Sequence, residues 1–237
     1  MRTLLCTDRT TRRRTALVGL ALQQYDIDIA VLTESRLSES GSLTEPNSEY
    51  TFFWSGLPTG QRRMHGVCMA IKTDIAKRFQ LLPCAVNERL MTLKIPTGTK
   101  NRFLHIIGVY APTLPYDDNT KEVFYSQLDQ CIRTVPKEDK LKIMGDFNAR
   151  VGTDHTAWPD TLGRHGVGKC NSNGLLLLIK CAQHNLAITN TFFQMPLKNK
   201  ISWMHPRSKK WHLLDYVICR RLDLVDIKIT KIGRAHV

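Results

Sequence analysis

The sequence predicts an α+β fold in which helices lie outside packed, mainly antiparallel sheets, and three observations predict it. Short β-branched or aromatic runs recur between Gly, Pro, Asn and charged turns. Three other segments repeat apolar residues at helical spacing. No composition break or low-complexity linker divides the 237 residues, so a single domain over 1–237 is expected. With 42% hydrophobic and 23% charged residues the chain can bury a sizeable core.

Taken in order, Thr15 to Tyr25 carries Leu17, Leu20 and Ala21 at helical spacing behind a basic run, and Ile27, Ile29, Val31 and Leu32 read as a buried strand. Tyr50–Trp54, Gly66–Ile71, Leu90–Ile95 and Phe103–Tyr110 read as further strands. Asn119 to Val135 returns to helical spacing through Val123, Phe124, Leu128 and Ile132, and Pro136 stops it. A strand at Leu141–Met144, a helix at Gly174–Gln183 and strands at Ile201–Met204 and Leu213–Ile218 complete the pattern, helices outside sheets.

Thirty-four Lys and Arg against 21 Asp and Glu give a net charge of +13. The excess is clustered at Arg9, Arg12, Arg13 and Arg14, at Arg62 and Arg63, at Arg207, Lys209 and Lys210, and at Arg220 and Arg221. Such clusters suit a phosphate backbone, and they equally suit a solvated face or a nuclear address. Seven widely and irregularly spaced cysteines indicate neither a disulfide framework nor a zinc knuckle. The absence of a long apolar run or signal-peptide core gives the expectation of a soluble, intracellular protein in a reducing compartment.

Four places could carry chemistry. Glu34 follows the first buried run almost directly, so its carboxylate projects from a strand end, where it can hold Mg²⁺ with water and phosphate completing the octahedron. A solvated surface glutamate is the alternative. Gly145-Asp146-Phe147-Asn148 ends a strand, and alternation puts Asp146 and Asn148 on one side with Phe147 in the core. Such a carboxylate can orient or deprotonate water while the amide donates to a phosphate oxygen; an Asx-type turn is the alternative. Tyr110, before Ala111-Pro112, can offer its phenol to a phosphate or simply pack. Asp215 lies within the apolar run Leu213–Val217, where an ionised group needs a partner; in a hydrolase that partner is a histidine held in one tautomer.

In that order, Glu34, Tyr110-Ala111-Pro112, Gly145-Asp146-Phe147-Asn148 and Leu214-Asp215-Tyr216 resemble the endonuclease/exonuclease/phosphatase superfamily. Longer stretches narrow the resemblance. Tyr50 to Gly56, Asp146 to Asp154, Gly166 to Leu178 and Ser202 to Val217 look like the endonuclease domain of RTE-type LINE retrotransposons, and the craniofacial development protein 2-like group is similar over the same stretches. The resemblance implies a four-layer α/β/β/α sandwich of the DNase I-like type and cleavage of DNA phosphodiesters with Mg²⁺, or with Mn²⁺ as substitute. Carried over by position, Glu34 would hold the metal, Tyr110 and Asn148 would stabilise the phosphate, Asp146 would activate the water, and Asp215 would orient a catalytic histidine. Asn171 and Asn173 would belong to a phosphate-contacting segment, Trp203 to the pocket strand, and Arg36, Arg207, Lys209 and Lys210 would face the backbone. The family also implies a nuclear protein, expected to be monomeric.

The two ends depart from the pattern. Relatives of this kind open with Trp-Asn-Val before Arg-Thr-Leu and close with an Asp-His pair, whereas this chain opens at Met1-Arg2-Thr3-Leu4 and closes at Ala235-His236-Val237. Truncated edge strands, a missing active-site Asn and a missing histidine partner for Asp215 are therefore expected. His236 is a weak substitute beside Ala235, and Ile232–Val237 reads as a translated sequencing adapter. His212, three residues from Asp215 in a presumed common strand, is expected on the opposite face. A single acid–base residue contributes roughly 10²–10⁴-fold, so impaired turnover is expected. The competing readings are a non-catalytic nucleic-acid-binding remnant and a phosphoesterase acting on a lipid or nucleotide.

Overall fold

The structure, a computed structural model, describes residues 14–61 and 65–231. The expectations placed on Met1–Leu4, Arg9, Arg12, Arg13, Arg62, Arg63 and His236 lie outside the described residues. The chain forms two compact units, divided between Tyr110 and Ala111.

The first unit holds helix α1 (Arg14–Gln24), strands β1 (Ile29–Thr33), β2 (Ser40–Glu45), β3 (Tyr50–Ser55) and β4 (Val67–Lys72), the short helix α2 (Thr73–Arg78), and strands β5 (Cys84–Asn87), β6 (Leu90–Pro96) and β7 (Phe103–Tyr110). The strands β1-β4-β3-β2 make an antiparallel sheet, and β5-β6-β7 form an antiparallel meander. The unbroken apolar run of β4 is explained by burial on both faces. Cys68 and Ala70 join Tyr50 and Phe52 in a cluster against Val18 and Leu22 of α1. On the other face, Met69 with Val31 of β1 meets β7 at Gly108, where a Cβ would stand 3.1 Å from both side chains. A residue larger than glycine at 108 would make the Met69 and Val31 side chains give way by a few tenths of an ångström.

The second unit holds α3 (Asp118–Arg133), β8 (Lys140–Asp146), α4 (Ser172–Gln183), β9 (Leu186–Ile188), β10 (Trp203–Met204), β11 (Trp211–His212) and β12 (Asp215–Arg220). Helix α3 is capped by Asp117, whose side chain accepts from the Thr120 N–H at 2.8 Å, and it buries Phe124, Leu128 and Ile132 at helical spacing. In α4, Leu177, Leu178 and Cys181 are buried. Strand β12 pairs antiparallel with both β8 and β9.

Most helices and strands expected from periodicity are present with boundaries shifted by a few residues. The differences have local causes. The run read as one strand from Leu213 begins only at Asp215, because Leu214 and Asp215 N–H groups both turn to the Ser202 hydroxyl, at 3.0 and 3.3 Å. His212 accordingly lies in a separate two-stranded ribbon, β10–β11, and alternation along one strand does not decide its direction. Strand β2, with alternating exposure in Ser-Gly-Ser-Leu-Thr-Glu, has almost no apolar signal and was not anticipated, nor were α2, β5 and β9.

Candidate functional site

In the first unit the chain leaves β1 at Thr33 and turns sharply through two residues with left-handed backbones, Glu34 (φ 55°) and Arg36 (φ 53°). Neither residue type favours that region, so surrounding contacts must hold the turn. Ser35 between them is 1% exposed, and its N–H donates to the Gly66 carbonyl at 3.2 Å. Gly66 itself has φ 138°, and a Cβ there would meet the Ser35 hydroxyl oxygen at 2.2 Å. The turn aims the Glu34 carboxylate at two donors: the Tyr110 phenol at 3.3 Å and the Arg36 guanidinium at 3.4 Å. Both contacts are long for charge-assisted hydrogen bonds, and the Glu34 side chain keeps 32% of its exposure.

Tyr110, at the end of β7, is fixed from behind. Arg89, only 7% exposed, donates to the Tyr110 carbonyl at 3.2 Å and lies with its guanidinium carbon 5.6 Å from the centre of the phenol ring. The same guanidinium contacts His65 Nε2 at 3.1 Å, and the His65 ring lies 5.9 Å from that of Tyr110. Burial first, then the Arg89 charge, lowers the His65 pKa and favours the neutral imidazole. Arg89 and His65 were missed in the sequence. An arginine just ahead of a strand whose first residue, Leu90, is fully buried was the one available signal.

The second unit carries the Asp146 group. Phe147 is fully buried, as alternation predicts, and its N–H donates to the Leu214 carbonyl at 3.0 Å. Asp146 Oδ1 accepts from the Asn148 N–H at 2.8 Å, and Asn148 adopts φ 46°. The Asx turn named as the alternative is therefore formed, and it fixes the Asp146 carboxylate beside Asn148. The Asn148 amide donates to the Ala111 carbonyl at 3.0 Å. Across the β8–β12 register Asp215 stands opposite Asp146, and directly opposed residues share a sheet face. Burial raises the Asp215 carboxyl above its ordinary value, with the Ser202 hydroxyl opposing the effect. The buried Asn190 carries on the ladder where β9 has ended, accepting from the Val217 N–H at 2.9 Å and donating to the Asp215 carbonyl at 3.3 Å. Ser202 and Asn190 were not anticipated either.

Asn171 and Asn173, expected at a phosphate, are built into the framework. Asn171 Oδ1 caps α4, accepting from Gly174 N–H at 2.8 Å and from Arg150 N–H at 3.0 Å. Asn173 is 2% exposed and its amide donates to the carbonyls of Asn148 at 3.0 Å and Pro112 at 3.1 Å. Trp203 stands on the β10–β11 ribbon, 42% exposed, stacked on His212 at 6.0 Å and edge-on to His205 at 5.5 Å. The turn of this ribbon carries Arg207, Lys209 and Lys210, all exposed, and His205 Nδ1 organises it by accepting from the Arg207 and Ser208 N–H groups at 3.2 and 3.1 Å.

A divalent cation fits the first cluster in one respect that can be tested on its chemistry. Among the described residues no group of three or more His, Cys, Asp or Glu could hold a metal ion. Glu34 offers a single part-exposed carboxylate with loosely engaged oxygens, the donor set of a hard ion that keeps most of its water. Among the described residues no helix is long and apolar enough to cross a membrane.

The sequence pattern of the Endonuclease/Exonuclease/phosphatase family matches residues 5–230, across both units. Craniofacial development protein 2 of Bos taurus is 30% identical over 201 residues, covering 84% of this chain and 32% of its own length. The protein of the same name from Tragulus javanicus is 30% identical over 203 residues, covering 84% and 33%. The chain thus spans about a third of the length of these relatives. Among solved structures, the endonuclease domain of TRAS1, a telomere-specific non-LTR retrotransposon, superposes with a TM-score of 0.54 at 16% identity, covering 90% of this chain and 83% of that one. AP endonuclease LMAP from Leishmania major superposes with a TM-score of 0.60 at 13% identity, covering 88% and 75%. These likenesses show the fold, an α+β sandwich of the DNase I-like type whose neighbours are nucleases. The chain belongs to the endonuclease/exonuclease/phosphatase family.

Proposed function

We propose that the chain is a nuclease-like domain of retroelement origin, built for divalent-cation-dependent hydrolysis of DNA phosphodiesters with impaired turnover, and working in the nucleus as one domain over 1–237. The observation that carries this reading is the Asp146 group: a carboxylate fixed by the Asn148 N–H at 2.8 Å, with Asp215 opposite it on the same sheet face. Asp146 accepts the proton of an attacking water and directs its lone pair at phosphorus. Asn148 supplies an uncharged donor for a phosphate oxygen, and Asp215 would orient a catalytic histidine that donates a proton to the leaving oxygen. In the other cluster Tyr110 donates to a phosphate oxygen, and Glu34 would hold Mg²⁺ or Mn²⁺, which when bound supplies positive charge to the phosphate oxygens. Asn171 and Asn173 act by holding Arg150, α4 and Asn148 in place, while Arg36, Trp203, Arg207, Lys209 and Lys210 engage the DNA.

A second reading, a nucleic-acid-binding domain without turnover, is favoured by the ribbon turn alone. Exposed Trp203 and Trp211 beside three exposed cations combine a stacking surface with backbone attraction and require no reaction chemistry. Supercoiled-plasmid nicking with Mg²⁺ separates the two. Nicking that disappears with chelator and in Asp146→Ala supports the nuclease. Salt-sensitive duplex binding without nicking, unchanged in Asp146→Ala, leaves the binding domain.

A further inference from the structure

Away from the residues discussed so far, the second unit contains a cavity of about 440 Å³ whose charged lining is entirely basic, Arg133, Lys137, Arg220 and Arg221, with His184 beside them. It opens where α3 and α4 end and β12 finishes. Arg220 is held rigidly there. Its Nη1 donates to the carbonyls of Pro136, Lys137 and Asp139 at 2.7, 2.7 and 2.6 Å, and its Nη2 to that of Val135 at 2.9 Å. Carbonyls satisfy N–H groups but bring no net charge, so the guanidinium is oriented without being neutralised.

The neighbouring cations are only partly balanced. Asp129 accepts from Arg133 at 2.5 Å, His184 at 2.6 Å and Lys180 at 3.1 Å, and Asp160 pairs with Arg221 at 3.0 Å. Neither aspartate lines the cavity. Three residues of the lining are apolar and buried, Ile132, Val135 and Leu186, and Leu222 stands 87% exposed beside them. An apolar surface within a cationic wall suits a ligand that joins a flat apolar ring to closely spaced negative charges, and the volume is in the range of small-molecule sites, roughly 300–1,000 Å³.

We propose that this cavity is a binding site for a nucleoside polyphosphate, with its phosphates against Arg133, Lys137 and Arg220 and its base against Val135, Leu186 and Leu222. The site is separate from the reaction residues of this unit. Asp215 and Arg220 are the two ends of β12, about 16 Å apart at ~3.3 Å per residue. The proposal therefore does not depend on the nuclease reading.

Titration calorimetry of the whole chain with ATP and with adenosine, both in chelator, tests it. ATP is expected to bind at roughly 10–100 µM and adenosine at least ~10-fold more weakly. Arg133 and Lys137 are exposed, so Arg133→Gln with Lys137→Gln is expected to fold normally and to lose about 10-fold or more in ATP affinity. Asp146→Ala is expected to bind ATP as the parent does. The proposal is overturned if the parent does not bind ATP, if adenosine binds as tightly, if the double variant keeps the parent's affinity, or if Asp146→Ala loses it.

Discussion

The two polar clusters are built by different means. In the second unit, placement is local and runs through the backbone: Asp146, Phe147 and Asn148 are consecutive, the Asn148 N–H holds Asp146, and β-sheet register sets Asp215 opposite. In the first unit, placement is assembled mostly from side chains far apart in sequence, with Glu34 and Arg36 of one turn meeting Tyr110, and His65 and Arg89 behind it, Arg89 gripping the Tyr110 carbonyl as well. A motif of neighbouring residues survives as a readable string, while a cluster of remote side chains has no string to read. The first kind is also robust to change in its surroundings and fragile at its own residues; the second is fragile at residues that never meet a substrate.

Substitutions can sharpen that contrast. The largest effect is expected at Asp146: Asp146→Ala should lower Mg²⁺-dependent nicking by about 10²–10⁴-fold, whereas losing the turn hydrogen bond from the Asn148 N–H should cost only about 1 kcal/mol in urea denaturation. Next is Arg89→Met, which removes the donor to the Tyr110 carbonyl, the His65 contact and the packing over the phenol ring at once. It should cost about 1–3 kcal/mol in urea denaturation. A cost near zero would mean that Tyr110 is held by its strand alone, and the contrast between the clusters would fail.

Asn173→Ala strips the amide from the Asn148 and Pro112 carbonyls and is expected to cost somewhat less, about 1–2 kcal/mol, with nicking reduced because Asn148 loses its support. An unchanged midpoint in urea would show that these carbonyls find other donors. The smallest effect concerns Asp215. Burial raises its folded-state pKa above the unfolded value, so the folded state binds the proton more tightly and stability falls as pH rises through that interval. Asp215→Asn should therefore be slightly more stable than the parent at pH 7, with the gain vanishing below the ordinary carboxylate range, while nicking declines. Thermal unfolding across pH 3–8 checks the sign, and a variant less stable at pH 7 would contradict it.

The same contrast explains how much was legible in advance. Apolar alternation located β7 to the residue and β3, β4, β6 and β8 to within a few residues, because strands buried on one or both faces must repeat apolar side chains. The buried Phe147 between two outward polar residues was readable for the same reason. Strand β2 was not, because an edge strand of Ser, Gly and Thr derives its order from β3, with six paired positions and no apolar run of its own. Asn171 and Asn173 were recognised as special, but their roles were not. Whether an asparagine beside a helix start turns outward to a ligand or inward to cap and buttress depends on partners more than 20 residues away, such as Arg150 and Pro112. His65 and Arg89 had no periodicity to announce them at all.

Gly66 brings out the last consequence. Its φ of 138° and the 2.2 Å that would separate a Cβ from the Ser35 hydroxyl leave no room for any side chain beneath the turn that carries Glu34. A residue with no functional group of its own therefore governs the direction of a carboxylate more than thirty positions earlier. A survey of substitutions that watched only ionisable and amide residues would miss it, and a lineage could lose its chemistry through a single added methyl group while every polar residue of the motif stayed in place.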